Sequence, residues 1–206
     1  MRRAAWLGPV AVLLFASSAG AQQRTNEFVG SVGIGGTTQR DLGFARLRDE
    51  LLPSYGLTLR FAGRVVDRRW GEIHLGALLG GAAWQTRTLQ DTENARRTLL
   101  DVGPFVRWRG RATPIAPVLG ASLGFSATAP SIPEIFSGVR FGLGLYSELW
   151  IGGSWQRRRA LLGLELAWSY HRWVSNTPDV AISTHQAVYR LVVGWTGPRP
   201  KDRKRQ

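Results

Sequence analysis

The sequence predicts an all-β fold, a single up-and-down antiparallel barrel of eight strands. Three observations predict it. Apolar residues recur at every second position in one segment after another, which is the strand period. The connections between those segments alternate between long and short. Beyond residue 21 there is no apolar helix pattern: the longest uncharged stretch, 112–133, carries Pro114, Pro117, Pro130 and Pro133, and prolines at that frequency break a helix. Composition agrees. The chain of 206 residues is 44% hydrophobic, which excludes a disordered chain. It contains no Cys, which excludes disulfide scaffolds, Cys-based zinc sites and thiol nucleophiles.

The elements follow in order. Arg2 and Arg3 form a basic start, residues 6–15 an apolar run, and Ala19-Gly20-Ala21 a small-residue site. That is the pattern of a secretory signal peptide over 1–21, cleaved after Ala21. The run is far short of the roughly 20 residues a spanning helix needs. Cleavage lowers the net charge of +13 by the two arginines. Residues 22–196 then form the barrel, and 197–206 a basic tail.

Five segments alternate cleanly. Residues 55–66 set Tyr55, Leu57, Leu59 and Phe61 against Thr58, Arg60, Ala62 and Arg64. Residues 71–84 set Ile73, Leu75, Ala77 and Leu79 against Glu72, His74 and Gly76. Residues 139–152 set Leu143, Leu145, Leu149 and Ile151 against Arg140, Gly144, Tyr146 and Glu148. Residues 162–171 set Leu162, Leu164, Leu166 and Trp168 against Gly163, Glu165 and His171, and 186–195 set Tyr189, Leu191, Val193 and Trp195 against Gln186, Val188 and Arg190. Three more fit with less contrast. These are 28–36, with Phe28, Val32 and Ile34, then 99–109, with Val102, Val106 and Trp108 against Asp101 and Arg107, and 115–126, with Leu119, Leu123 and Phe125. Pro104 and Pro117 sit within two of them and predict a bulge or broken register. The long connections are 37–54, 86–97, 127–138 and 172–185. The short ones are 67–69, 110–114 and 153–160.

Charge decides which face looks out. Arg60, Arg64, Arg107, Arg140 and Arg190 share the polar parity with Glu72, Asp101, Glu148 and Glu165. An arginine turned to lipid near the midplane costs roughly 2–4 kcal/mol, so several outward would exceed the stability of a domain. These groups are therefore expected to fill the bore as an ion-pair network, with the apolar parity facing hydrocarbon. Outward aromatics fall near the strand ends: Tyr55, Phe125, Trp168, Tyr170 and Tyr189 at the long connections, Phe28, Trp108 and Trp195 at the short ones. Such girdles suit the two interfaces of a bilayer.

With these features the chain resembles the small eight-stranded outer-membrane barrels of the OmpA/OmpX type over about 27–195. The resemblance is carried by 55–66, 139–152, 162–171 and the closing run from Tyr189 to Trp195. It implies a transmembrane barrel in the outer membrane of a Gram-negative-type bacterium, both termini periplasmic, with outer-membrane lipids as partners. It also implies a terminal aromatic read by assembly machinery. Trp195 holds that place, with eleven residues after it.

The excess positive charge collects at one end. The long connections balance, and Arg24 offsets Glu27 ahead of the first segment. The short connections and tail do not balance: Arg68, Arg69, Arg109, Arg111, Arg157, Arg158 and Arg159, then Arg203, Lys204 and Arg205. This predicts a basic periplasmic rim suited to anionic phospholipid or an acidic periplasmic partner. Solvated turns in an arginine-rich chain explain it equally well. Export to the envelope argues against nucleic acid.

Chemistry is thinly represented. His74 with Glu72, and His171 with Glu165, lack the further ligands of a metal site, so paired bore charges are favoured and no cofactor is expected. His171, Ser175 and Asp179 have the residue types of a hydrolase triad, but His171 lies on the inward parity and Ser175 in a turn-forming run. Gly33 to Gly36 is a strand end rather than a nucleotide loop. Leu42, Phe44, Leu47, Leu51 and Leu52 allow a short amphipathic helix or a plain packed loop within 40–52. The expected function is non-enzymatic: a structural, envelope-anchoring or surface-recognition barrel acting through its long loops. A small ligand-handling or transport barrel, and a lipid-modifying hydrolase, are the alternatives.

Overall fold

The computed structural model describes residues 26–41, 52–87, 94–111, 114–130, 142–175 and 181–197. The strands are β1 (Asn26–Asp41), β2 (Leu52–Arg68), β3 (Gly71–Arg87), β4 (Asn94–Arg109), β5 (Ile115–Pro130), β6 (Gly142–Arg157), β7 (Ala160–Ser175) and β8 (Ala181–Thr196). Each pairs antiparallel with its neighbours in sequence, and β1 pairs with β8 from Glu27↔Thr196 to Asp41↔Ile182, closing the barrel. Closure removes the unpaired strand edges that hydrocarbon would not tolerate.

Every strand is 16 or 17 residues long. That exceeds the roughly 9–11 residues that cross a bilayer, and it corrects the expected connections. Residues 37–41 extend β1, 127–130 extend β5, and 172–175 and 181–185 belong to β7 and β8. Residues 153–157 continue β6, leaving only Arg158-Arg159 as the turn. The physical reason is that a wall projecting past the hydrocarbon meets water on both sides. Its ladder continues while the apolar alternation fades. The two-residue turn Arg158-Arg159 places Arg158 at φ 53°, the left-handed region such tight hairpins use. The other two-residue turn, Arg69-Trp70, leads into Gly71 at φ +151°, where a Cβ would run into the Trp108 indole and the Arg109 carbonyl.

The prolines do not break the register. Val102↔Phe125 and Phe105↔Ser122 keep one register on both sides of Pro104, and Pro117 pairs with Gly153. Both prolines face outward at exposed positions. The irregularity lies in β2 instead, where the pairing shifts between Arg64 and Val66. Arg40, Asp41 and Leu52 are strand residues. The helix-or-loop question for 42–51 falls outside the described residues, as do the signal segment and the tail beyond Gly197.

Parity sorts the side chains. Leu143, Leu145, Leu149, Leu164 and Val193 are more than half exposed, whereas Arg60, Arg107, Glu148 and Glu165 are buried. An apolar surface running round the whole wall far exceeds the few hundred Å² usual on a soluble protein. The chain is a transmembrane β-barrel. Tyr55, Phe125, Trp168 and Tyr189 ring one end of this surface, and Phe28, Phe61, Trp70, Trp155 and Trp195 ring the other, all exposed. Tyr170 and Trp108 are half-buried. Trp70 and Trp155 were hidden from parity because they adjoin the short turns.

Candidate functional site

Among the described residues the buried charged groups converge in the bore, and they are layered. At the short-turn end Arg64 bonds Glu72 at 3.0 Å and Asp67 at 2.9 Å. Arg109 donates to Gln156, whose amide nitrogen donates to Thr196 Oγ1 at 2.8 Å. Arg111 pairs with Asp67 at the mouth. One level further in, Arg107 on β4 holds Glu27 on β1 through both guanidinium nitrogens. His74 lies between Glu27 and Glu72, with ring nitrogens 3.6 and 3.4 Å from their carboxylates.

The middle layer joins strands that are not neighbours. Arg60 Nη2 on β2 reaches Glu165 Oε2 on β7 at 2.6 Å. The Arg60 guanidinium also lies 5.0 Å from the centre of the Trp150 ring, a cation–π contact. Arg190 on β8 meets Glu148 on β6 through two parallel bonds of 2.7 and 2.5 Å, the fork geometry in which arginine binds carboxylate most strongly. His171 Nε2 on β7 lies 3.0 Å from Asp101 Oδ2 on β4.

Above this layer the bore is aromatic. The His171 ring stacks on Tyr146 (5.9 Å) and Trp173 (5.3 Å), and Trp173 stacks on Trp84 (6.4 Å). Trp173 Nε1 donates to Ser126 Oγ at 3.1 Å. Trp84, Leu99 and Trp173 form one buried cluster, and Phe105, Tyr146 and Trp150 belong to a second. The inward face is thus partly aromatic, which the sequence reading of a small and charged bore missed. Parity could have shown it: Trp84 shares its face with Glu72 and His74, Trp150 with Glu148, and Trp173 with His171.

Most predicted bore residues therefore meet a partner there: Arg60, Arg64, Glu72, Asp101, Arg107, Glu148, Glu165 and Arg190. Arg140 lies outside the described residues. Glu27 was missed because it was balanced against Arg24 ahead of the strands, whereas β1 begins at Asn26, two residues before the expected start at Phe28. Among the described residues five arginines (60, 64, 107, 109, 190) and five carboxylates (27, 72, 101, 148, 165) fill the bore, so its formal charge cancels. Its pairing satisfies the rule that buried charges need partners.

The predicted rim divides. Arg68, Arg69, Arg111, Arg157, Arg158 and Arg159 are exposed. Arg109 is a correction: it is buried and turned into the bore, because it shares the parity of Arg107 and ends its strand. Arg159 lies 5.9 Å from the Trp195 ring. Arg203, Lys204 and Arg205 fall outside the described residues.

The hydrolase types do not assemble among the described residues. The His171 Nε2 is taken by Asp101 and its ring is enclosed by aromatics. Ser175 ends β7, and Asp179 lies outside the described residues. Glu165 pairs with Arg60 rather than with His171. Among the described residues no group of three or more His, Asp or Glu is placed to hold a metal.

No family model matches the chain, and no curated protein matches it. Solved structures do. The outer membrane enzyme PagL superposes with a TM-score of 0.51 at 16% identity, covering 79% of this chain and 97% of its own. The outer membrane protease OmpT from Escherichia coli gives 0.50 at 8% identity, covering 85% and 97%. Neisserial surface protein A gives 0.47 at 13% identity, covering 80% and 96%. The fold is that of the outer-membrane β-barrels. Likeness at these identities concerns the fold, because function resides in sites grafted onto it.

Proposed function

We propose that the chain is a non-enzymatic outer-membrane barrel whose work is structural: it anchors in the envelope and presents its long outer connections for recognition. The observation that carries this reading is the bore. Ties between non-neighbouring strands (β1 to β4, β2 to β7, β4 to β7, β6 to β8) cross an interior that stacked aromatics also fill. A bore so occupied is a plug, as side chains fill barrels of this size. Recognition then falls to the connections at 42–51, 88–93, 131–141 and 176–180, as surface loops usually carry it.

The exposed arginines 68, 69, 111, 157, 158 and 159 form the periplasmic rim in this reading, contacting anionic phospholipid headgroups beside the Trp155 and Trp195 girdle. Two measurements test the proposal. Planar-bilayer recording of the refolded chain should show no discrete conductance steps, and steady single-channel events would favour the transport alternative. Ser175→Ala should leave any lipid release in whole-membrane extracts unchanged. Loss of hydrolysis on that substitution would move the chain to the lipid-modifying class.

A further inference from the structure

The short-turn rim is not evenly charged. At the β2–β3 corner Asp67 pairs with both Arg64 and Arg111, so the arginines there share a carboxylate. Strands β4 and β5 separate that corner from the β6–β7 hairpin. On the hairpin Arg157, Arg158 and Arg159 are consecutive and exposed, and Asp67 is the only exposed carboxylate among the described residues. Three like charges on one turn repel one another and draw an anion from outside the chain.

The hairpin is braced from inside the bore. Arg109 donates to the Gln156 side chain. The Gln156 amide nitrogen donates to the Arg158 carbonyl at 3.2 Å and to Thr196 Oγ1 at 2.8 Å. The Thr196 N–H donates to the Arg159 carbonyl at 2.8 Å. Both carbonyls of the turn are thereby held, and its backbone needs no ordering when a ligand arrives, which favours binding.

The lipid-facing side of the hairpin has a notch. The register sets Arg157, Ala160 and Trp195 abreast on β6, β7 and β8, with Trp155, Leu162 and Val193 abreast one step nearer the hydrocarbon. All six face outward at exposed positions. Ala160 is the small residue of its row and leaves a gap between Arg157 and Trp195. Arg159 shares the parity of buried Leu161, yet its guanidinium lies 5.9 Å from the centre of the Trp195 ring. It therefore leans out of the bore toward the same gap. A notch basic above and apolar below matches one class of molecule, a phospholipid with an anionic head. A soluble polyanion would gain nothing from Trp155, Leu162 and Val193.

We propose that the β6–β7 hairpin is a site for a single anionic phospholipid. The phosphate sits over Ala160 between Arg157 and Arg159, and an acyl chain runs down along Leu162. The site rests on the reading of this end as a rim at the membrane interface, and it narrows a diffuse contact to one place. Apolar contact alone holds any lipid tail weakly, since the surrounding lipid is equally apolar. The headgroup charge supplies the preference.

The test uses the full chain refolded in detergent micelles with phosphatidylglycerol or phosphatidylcholine. Native mass spectrometry counts the lipids each barrel retains. The expected result is one retained phosphatidylglycerol, at a fraction several-fold above that of phosphatidylcholine. Arg157→Gln with Arg159→Gln should remove the excess while leaving the carbonyls that fix the turn. Ala160→Leu should lower it without changing any charge, by filling the notch. Arg68→Gln with Arg69→Gln should leave it in place. Heat-modifiable gel mobility checks that each variant folds, and Ala160→Leu, a change at an exposed position, stands in if the paired arginine variant does not.

An undiminished excess in a folded hairpin variant would overturn the site. Equal loss in the Arg68 and Arg69 variant would also overturn it, by spreading the binding over the rim, and would leave the rim reading intact. Equal retention of the two lipids by the parent would overturn both. Retention of inorganic polyphosphate that is lost with the paired hairpin arginines but unchanged in Ala160→Leu would give the hairpin to a soluble polyanion instead.

Discussion

Arg60 and Glu165 stand 105 positions apart in the chain and meet at 2.6 Å across the bore, tying β2 to β7. Both are buried. Removing one partner of such a pair leaves a charge with no solvent, which costs about 3–5 kcal/mol. Arg60→Met should therefore lower the unfolding free energy by that amount, measured by urea titration of the barrel in lipid vesicles. Arg60→Met combined with Glu165→Met should recover most of the loss, because paired apolar replacement removes the desolvation cost from both sides. A double variant as weak as the single one would show that packing against Trp150, rather than charge pairing, sets the stability of this layer.

The aromatic layer predicts a different kind of loss. Trp173 is fully buried, stacks on His171 and Trp84, and donates to Ser126. Trp173→Ala should cost about 3–5 kcal/mol by opening a cavity, whereas Trp173→Phe should cost less because stacking survives. Urea midpoints of the two variants, read against the parent, check the order.

The turn at Arg158 predicts a gain. A non-glycine residue at φ 53° bears a left-handed penalty of roughly 1–2 kcal/mol that glycine does not. Arg158→Gly should hold or raise the urea midpoint, and Arg158→Val, with a branched Cβ, should lower it. Refolding yields by gel mobility give a second readout. A stabilised Val variant would contradict the turn geometry.

The exterior predicts the cost of charge by depth. Leu164 is 68% exposed on the lipid-facing parity of β7. Leu164→Arg should cost about 2–4 kcal/mol if the position lies near the midplane. The same change at Ile115, where β5 begins beside the short connection, should cost far less. Equal costs would show that the apolar band is misplaced along the wall.

The strand count and the facing of the strands were legible because lipid imposes a strict period-two code between the interfaces. Leu59, Leu143 and Leu164 against Arg60 and Glu148 follow it directly. The strand ends were not legible, because water on both faces of the projecting wall erases the code at 37–41 and 181–185. In the bore, parity placed Arg60, Arg107, Arg190 and Glu165 inward, yet it cannot say that Arg60 takes Glu165 or that Arg107 takes Glu27. Those partners depend on the stagger of the closed sheet, and no local pattern encodes stagger. The bulge after Arg64 was equally silent, since Gly63 beside it is one of many strand glycines, while the conspicuous Pro104 and Pro117 keep the register with their rings facing outward.

The closing seam between β1 and β8 has one more consequence. Gly197 N–H donates to the Asn26 carbonyl at 2.6 Å, so the first and last strands leave the cylinder side by side on the same rim. Any cargo spliced to either extremity would hang in the same compartment. The hoop could equally be sewn shut at that point and cut open at one of the far-side links without unzipping a rung of the ladder.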